Sequence, residues 1–197
     1  MTARTATAAD LPAMADTMAT AFHDDPVWGP WAFPDPERRP AQHLVFWGFF
    51  LNSALRYGWV HATPRCESVT LWLPPGGSEL SPEDEERAPE LIVELLGDRA
   101  RQVMDGMRLF DQNHPHDEPH YYLSLWGTHA DHRGRGIGTV LLRQDLLRID
   151  DDHMPCYLES TNPANLDRYR SIGFVPRGSF ELPGDGPTVT TMWRPAR

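Results

Sequence analysis

Apolar positions recur along the chain in two rhythms. Leu11, Met14, Met18 and Phe22 fall three or four apart, behind Asp10 as an N-cap and with Pro12 in the first turn; the spacing predicts a helix. Residues 41–56 are apolar on several sides and predict a second, largely buried helix. Gly58 to Ala62 and Ser68 to Leu73 read as a strand hairpin, ended by Pro74-Pro75-Gly76-Gly77. In Ser81-Pro82-Glu83-Asp84 a capping serine, a proline and two acids mark a helix start, and one or two helices fill 82–110. Further on, Tyr121 to Thr128 is a strand. A helix over about 136–150 follows on Ile137, Val140, Leu141 and Leu147, widened by Leu142, Leu146 and Ile149. Met154 to Glu159 is a strand and Pro163 to Ser171 a short helix. Phe174 to Leu182 and Thr188 to Arg194 close the chain around the turn Pro183-Gly184-Asp185-Gly186. With a short strand in the first ten residues, the order is mixed α/β, and its C-terminal half holds a strand–Gly-loop–helix–strand–helix unit.

Composition narrows the function classes. A length of 197 residues suits one domain over 1–197, and 40% apolar residues with seven Trp and eight Phe supply a sizeable core. Eighteen basic against 28 acidic residues give a net charge of −10, which disfavours a nucleic-acid partner. Every basic residue is Arg, so no catalytic lysine exists; with abundant Ala, Pro and Gly this matches a GC-rich bacterial coding bias. Cys66 and Cys156 make neither a disulfide framework nor a zinc set, which points to a reduced, cytoplasmic protein. No run reaches the roughly 18 apolar residues of a membrane span, and no apolar signal core follows Met1-Thr2-Ala3-Arg4.

The sharpest motif is Asp131-His132-Arg133-Gly134-Arg135-Gly136-Ile137-Gly138-Thr139, which follows a strand and opens a helix. Its three glycines let backbone approach a ligand, and the N–H groups of the first helical turn form an anion cradle. Arg133 and Arg135 add charge-assisted donors. A tight strand-to-helix connection with two solvated arginines is the competing reading. A dinucleotide fingerprint fails because Thr139 stands where the third Gly belongs, and a Walker loop fails for want of Lys.

What remains, Arg-x-x-Gly-x-Gly from Arg133 to Gly138, resembles the acetyl-CoA pyrophosphate loop of the GNAT N-acetyltransferase superfamily. The segment from Leu158-Glu159-Ser160-Thr161-Asn162-Pro163 through Asn165 and Tyr169 to Gly173-Phe174 is similar to the superfamily's strand–Asn–helix–Tyr–Gly-Phe stretch, and its detail resembles the puromycin N-acetyltransferase-like branch. The final Thr191-Met192-Trp193-Arg194-Pro195 also resembles that branch. The likeness is specific over about 119–195 and diffuse before it. Ala130 stands where the superfamily usually has Pro, and Thr128 where Val is commoner.

The resemblance implies a GNAT fold, a splayed mixed sheet flanked by helices. It also implies acetyl transfer from acetyl-CoA, a co-substrate, to an amine. Pantetheine would enter a wedge between strands 121–128 and 154–159. Backbone N–H groups of Trp126, Gly127 and Thr128 would polarise the thioester carbonyl if the strand bulges there, with Gly127 permitting the bulge. Tyr169 would protonate the CoA sulfur. Asn165, one turn earlier on the same face, or Asn162 would hold the cofactor backbone; both also read as helix caps, and Tyr169 as a core residue. Glu159 is the candidate general base, with a structural carboxylate as the competing reading and His129 as second choice.

The acceptor is expected from the N-terminal side, walled by residues 22–33 and the 74–81 loop. Trp28 or Trp31 would be an apolar wall and Asp24 or Asp25 would face a cationic group, although the tryptophans equally suit the core. Branch resemblance favours a small-molecule amine. A protein or peptide amine, or a non-catalytic acyl-CoA-binding module, are the rivals, and a homodimer is compatible with the chain. His114, His116, His120 and Asp117 sit in a Pro-broken loop and are not expected to hold a metal. Cys156 reads as an inert buried thiol.

Overall fold

A computed structural model describes residues 3–197; Met1 and Thr2 of the N-terminal reading lie outside the described residues. Among the described residues seven strands form one sheet: β1 (Arg4–Thr5), β2 (Val60–Ala62), β3 (Ser68–Leu73), β4 (Tyr121–Thr128), β5 (Cys156–Ser160), β6 (Val175–Glu181) and β7 (Thr188–Arg194), in the order β1-β2-β3-β4-β5-β7-β6. Neighbours are antiparallel except β4 and β5, whose parallel pairing needs a crossover. Helices α1 (Leu11–Phe22), α2 (Arg39–Ala54), α3 (Pro82–Leu96), α4 (Ala100–Asn113), α5 (Ile137–Asp151) and α6 (Leu166–Arg170) complete the chain. The crossover is α5, which the Leu141–Ile149 stripe directs at the sheet.

Two apolar clusters divide the interior. One joins α1, α2 and α4 to the sheet through Met14, Met18, Phe46, Trp47 and Val103; the other joins α5, α6, β4, β5 and β7 through Leu142, Tyr169, Phe174 and Met192. Asp145 of α5, fully buried, accepts from Thr70 Oγ1 at 2.6 Å and Trp72 Nε1 at 3.1 Å, with His61 Nδ1 at 2.9 Å. This network ties α5 to β2 and β3 and so sets the direction of its N-terminus. Stripping Asp145 of such partners would leave a buried charge, a loss of about 3–5 kcal/mol.

A second polar lock closes the β2–β3 turn. Burial opposes ionisation of Glu67, but hydrogen bonds from Thr63 Oγ1 (2.7 Å) and from the backbone and guanidinium of Arg65 (3.1 and 3.0 Å) outweigh it, holding its carboxyl down at about 2. A depressed carboxyl contributes stability above its unfolded value of 4.5 and loses it as pH falls toward the folded value. Glu67→Gln is therefore expected to unfold at lower urea than the parent at pH 7, the gap narrowing steadily between pH 4.5 and 2 in urea titrations.

Candidate active site

The sheet opens at its centre. Pairing of β4 with β5 is confined to Tyr121↔Cys156 and Tyr122↔Tyr157, beyond which the strands part. The cause lies partly in β4. Leu71 faces Leu125 and Trp72 faces Leu123, which leaves Ser124 as the extra residue of a β-bulge. The bulge thus stands at Ser124 and not at Gly127, as the sequence suggested. Gly127 has another duty: a Cβ there would lie 2.8 Å from Met18 Sδ and 2.9 Å from the Ala21 methyl, so its bare Cα lets α1 pack directly on β4.

Beside the wedge, Gly134 (φ 76°) and Gly136 (φ 71°) take left-handed backbone, and Gly136 caps α5. A Cβ on either would meet nothing within 4 Å, so the cradle is open. A Cβ on Gly138 would lie 2.4 Å from Thr128 Oγ1, which makes glycine the residue that allows α5 to start against β4. The unpaired N–H groups of this first turn and the helix dipole face a cavity of about 400 Å³. Trp126 adds a buried indole N–H with no hydrogen-bond partner on that side. An orphaned donor, an open glycine cradle and cationic Arg168, stacked on Trp126 at 5.6 Å, suit a phosphate-bearing ligand. A larger cavity of about 860 Å³ lies on the N-terminal side, and Phe22, Asp25, Trp126, Asn165 and Tyr169 line both.

Residues 65–174 match the acetyltransferase (GNAT) family, more than half of the chain. The chain belongs to the GNAT acetyltransferase family. It is therefore an acyltransferase, and the family uses acyl-CoA. A structure described as histone acetyltransferase HPA2 and related acetyltransferase, from Corynebacterium glutamicum, is 26% identical with a TM-score of 0.68 and covers 100% of this chain and 96% of its own. Arylalkylamine N-acetyltransferase 2 from Aedes aegypti, 12% identical with a TM-score of 0.61 over 100% and 99%, shares the fold. So does the NatC complex bound to Gag peptide and CoA, 13% identical at 0.56 over 100% and 98%.

Within this acetyltransferase, the residues singled out by sequence divide into three groups. Trp126, Gly127, Thr128, Arg133, Gly134, Gly136, Ile137, Gly138, Thr139, Asn162 and Asn165 all line the smaller cavity. Arg133, however, already donates to the Thr20 and Ala21 carbonyls at 2.9 Å, closing the end of α1, and Arg135 is exposed near His132. Asn162 Oδ1 accepts from Ala164 N–H at 3.0 Å, which is the capping role; Asn165 has no such side-chain cap bond. Tyr169 is buried where the cavities join, its ring edge-on to Trp126 at 5.6 Å. Burial, reinforced by nearby Asp25, pushes its hydroxyl well above the usual phenol value, so it stays protonated.

The N-terminal candidates fall in different places. Trp28 lines the larger cavity against Phe46, Trp47 and Phe110. Trp31 does not: it is buried, its indole N–H donates to the Pro183 carbonyl at 3.2 Å, and its ring fills the space left by Gly106 and Gly186. Asp24 lies on the smaller cavity with an exposed side chain, away from the acceptor side. Asp25 is buried and already committed. Its Oδ1 accepts from Val27 and Trp28 N–H at 3.0 Å and its Oδ2 from Thr161 Oγ1 at 2.7 Å, which makes it a clamp between the 22–33 turn and the residue that follows β5. His129 lines neither cavity, and burial raises the Cys156 thiol to about 12, which keeps it inert.

Glu159 projects from β5 into the larger cavity; its side chain is 3% exposed, and Oε1 has no hydrogen-bond partner. Sequence reasoning missed its companion. Glu79, in the 74–81 loop, accepts from Ser124 Oγ on the β4 bulge, and burial with the Glu159 charge raises its carboxyl. Only the loop was legible as a wall; nothing local distinguishes Glu79 from the acids that follow it. Arg168 was missed as well, although its place beside Tyr169 could have drawn attention to it. Among the described residues no group of three or more side chains could hold a metal, and no helix is long and apolar enough to cross a membrane.

Proposed function

We propose that the enzyme moves an acetyl group from acetyl-CoA to the primary amine of a small molecule with a bulky apolar or aromatic body. The observation that carries this reading is the larger cavity. Its walls are aromatic (Phe22, Trp28, Phe46, Phe50, Phe110), its depth holds Glu159 and Glu79, and it meets the glycine cradle at Tyr169. Two carboxylates at the end of an apolar chamber favour an ammonium group and select against acidic acceptors. The motif likeness to the puromycin-type branch supports the same class. All 197 residues serve as one domain in this reading.

Acetyl-CoA, when bound, supplies an activated thioester. The N–H groups of residues 134–139, with Arg135 and Arg168, hold its pyrophosphate, and Asn165 holds its backbone near Tyr169. Arg133 acts through α1 rather than on phosphate. Glu159 takes a proton from the acceptor's ammonium nitrogen, freeing the lone pair that attacks. Tyr169 releases its hydroxyl proton to the departing sulfur and is restored by the second proton that the nitrogen sheds as the amide forms. The test is Tyr169→Phe, which keeps the ring and its packing. Turnover is expected to fall toward the lower end of the roughly 10²–10⁴-fold range of general acids, since a thiolate leaves readily. Acetyl-CoA affinity by calorimetry should stay near that of the parent, and turnover and catalytic efficiency should fall together. Full turnover in the Phe variant, with chemistry limiting, would leave Tyr169 as a packing residue. An amine panel that includes peptides checks the acceptor class.

A further inference from the structure

Three histidines of the 113–120 loop line the larger cavity, and acetyl transfer as described does not use them. Two of these, His114 and His120, are packed ring on ring with centroids 4.9 Å apart and Nε2 to Nε2 at 3.0 Å. His120 Nδ1 lies 2.6 Å from the Glu118 carbonyl. A carbonyl can only accept, so Nδ1 carries the proton, and Nε2 of neutral His120 is an acceptor. The contact between the rings then requires the proton on His114 Nε2. Neutral His114 is left with a bare Nδ1, and that nitrogen faces Glu159 Oε1 across 3.7 Å. Oε1 is itself buried without a donor. Two lone-pair atoms face each other at the point where the amine's proton must go.

We propose that His114 is the proton acceptor that empties Glu159 in each turnover, and that His120 is a positioning residue which keeps His114 basic at Nδ1. This rests on the reading of Glu159 as the base. The ammonium N–H bond breaks as a Glu159 O–H bond forms. That O–H bond then breaks as His114 Nδ1–H forms, leaving an imidazolium and a regenerated carboxylate. His114 passes the proton to water, because its side chain is 22% exposed while that of Glu159 is 3% exposed. The groups facing the pair fit the role. Glu79 from the 74–81 loop and Glu159 from β5 are the carboxyls beside His114. Tyr122 of β4 and Tyr157 of β5 stand with rings 4.8 Å from His114, and burial together with the Glu159 carboxylate, to which both hydroxyls donate, keeps them protonated. His116 lies on the exposed rim, its ring 5.6 Å away. On the far side His120 meets Trp193 of β7, over whose ring the Arg177 guanidinium lies at 4.9 Å. Burial lowers His120, with Glu118 holding its Nδ1 proton, so that it stays neutral as the lock requires.

Nitrogen-15 NMR of the whole protein, with neither acceptor nor acetyl-CoA present, reads this arrangement directly. His120 should be protonated at Nδ1 and His114 at Nε2 at neutral pH, and removing the Glu159 charge in Glu159→Gln should shift the His114 Nδ1 signal. His120→Phe keeps an aromatic ring in the packing but removes the lock, so part of His114 should shift to the Nδ1–H tautomer. In acetyl transfer from acetyl-CoA to 2-phenylethylamine as probe, His114→Gln should lower turnover about 10–100-fold and move the acid limb of the kcat/KM profile, with acetyl-CoA affinity unchanged. His114 protonated at Nδ1 in the parent, no response to Glu159→Gln, or an unchanged rate and acid limb in His114→Gln each overturns the relay. If the parent leaves 2-phenylethylamine untouched, the acceptor reading fails on that amine. The tautomers and the Glu159→Gln shift then decide the relay: both present support it, either absent overturns it.

Discussion

Gly136→Asp is expected to bind acetyl-CoA at least about 10²-fold more weakly than the parent while remaining folded. The two effects separate for a physical reason. At φ 71° Gly136 occupies left-handed backbone, which Asp tolerates better than most residues, and its Cβ would enter open space. An acid at the start of α5 also interacts favourably with the helix dipole, which offsets part of the strain. Toward a pyrophosphate the same carboxylate is a like charge placed inside the anion cradle, worth several kcal/mol against binding. Calorimetry reads the affinity and thermal melting the fold. Salt should narrow the difference, because screening weakens both the parent's attraction and the variant's repulsion. Unchanged affinity in a folded variant would move the cofactor site elsewhere.

Glu159→Gln should lower kcat/KM for the acceptor by about 10²–10⁴-fold while acetyl-CoA binds as before. Gln is nearly isosteric but cannot take the amine's proton, and it removes the charge that attracts an ammonium group, so acceptor KM should rise as well. Stability should move the other way. In the parent, Glu159 Oε1 is buried without a donor, and its charge adds to burial in raising Glu79. A neutral amide relieves that repulsion and its oxygen can still accept from the Tyr122 and Tyr157 hydroxyls, so the melting temperature is expected to rise. Such opposition of stability and activity is characteristic of a functional carboxylate; a purely structural Glu159 would lose stability on substitution and leave the rate intact. Rates under single turnover and melting curves on the same preparation decide between the two.

Much of this enzyme was legible in local chemistry. The helix at 11–22, the hairpin at 58–73 and the strand–loop–helix unit around Gly134 to Gly138 follow from periodicity, caps and glycine, which act over a few residues and need no partner. The same holds for the stripe that makes α5 the crossover. Acetyl transfer was legible only through resemblance, because the loop and the Glu159-to-Phe174 segment each hold a family motif within one stretch of chain.

Tertiary structure decided everything that depends on two distant segments meeting. Gly127 looked like a bulge residue, but whether a glycine serves a bulge or a close approach depends on what packs on it, here Met18 and Ala21 of α1. Trp28 and Trp31 are indistinguishable in sequence; one lines the cavity and the other fills the space beside Gly106 and Gly186, a difference set by what packs on each ring. Asp25 appeared free to meet a substrate until the fold brought Thr161, 136 positions away, to its second oxygen. Glu79 and His114 come beside Glu159 only in the folded chain, where β4 bulges at Ser124 and parts from β5. Charge in water is nearly independent of its neighbours, whereas charge in a closed cavity is governed by them, and that enclosure is a property of the folded chain alone.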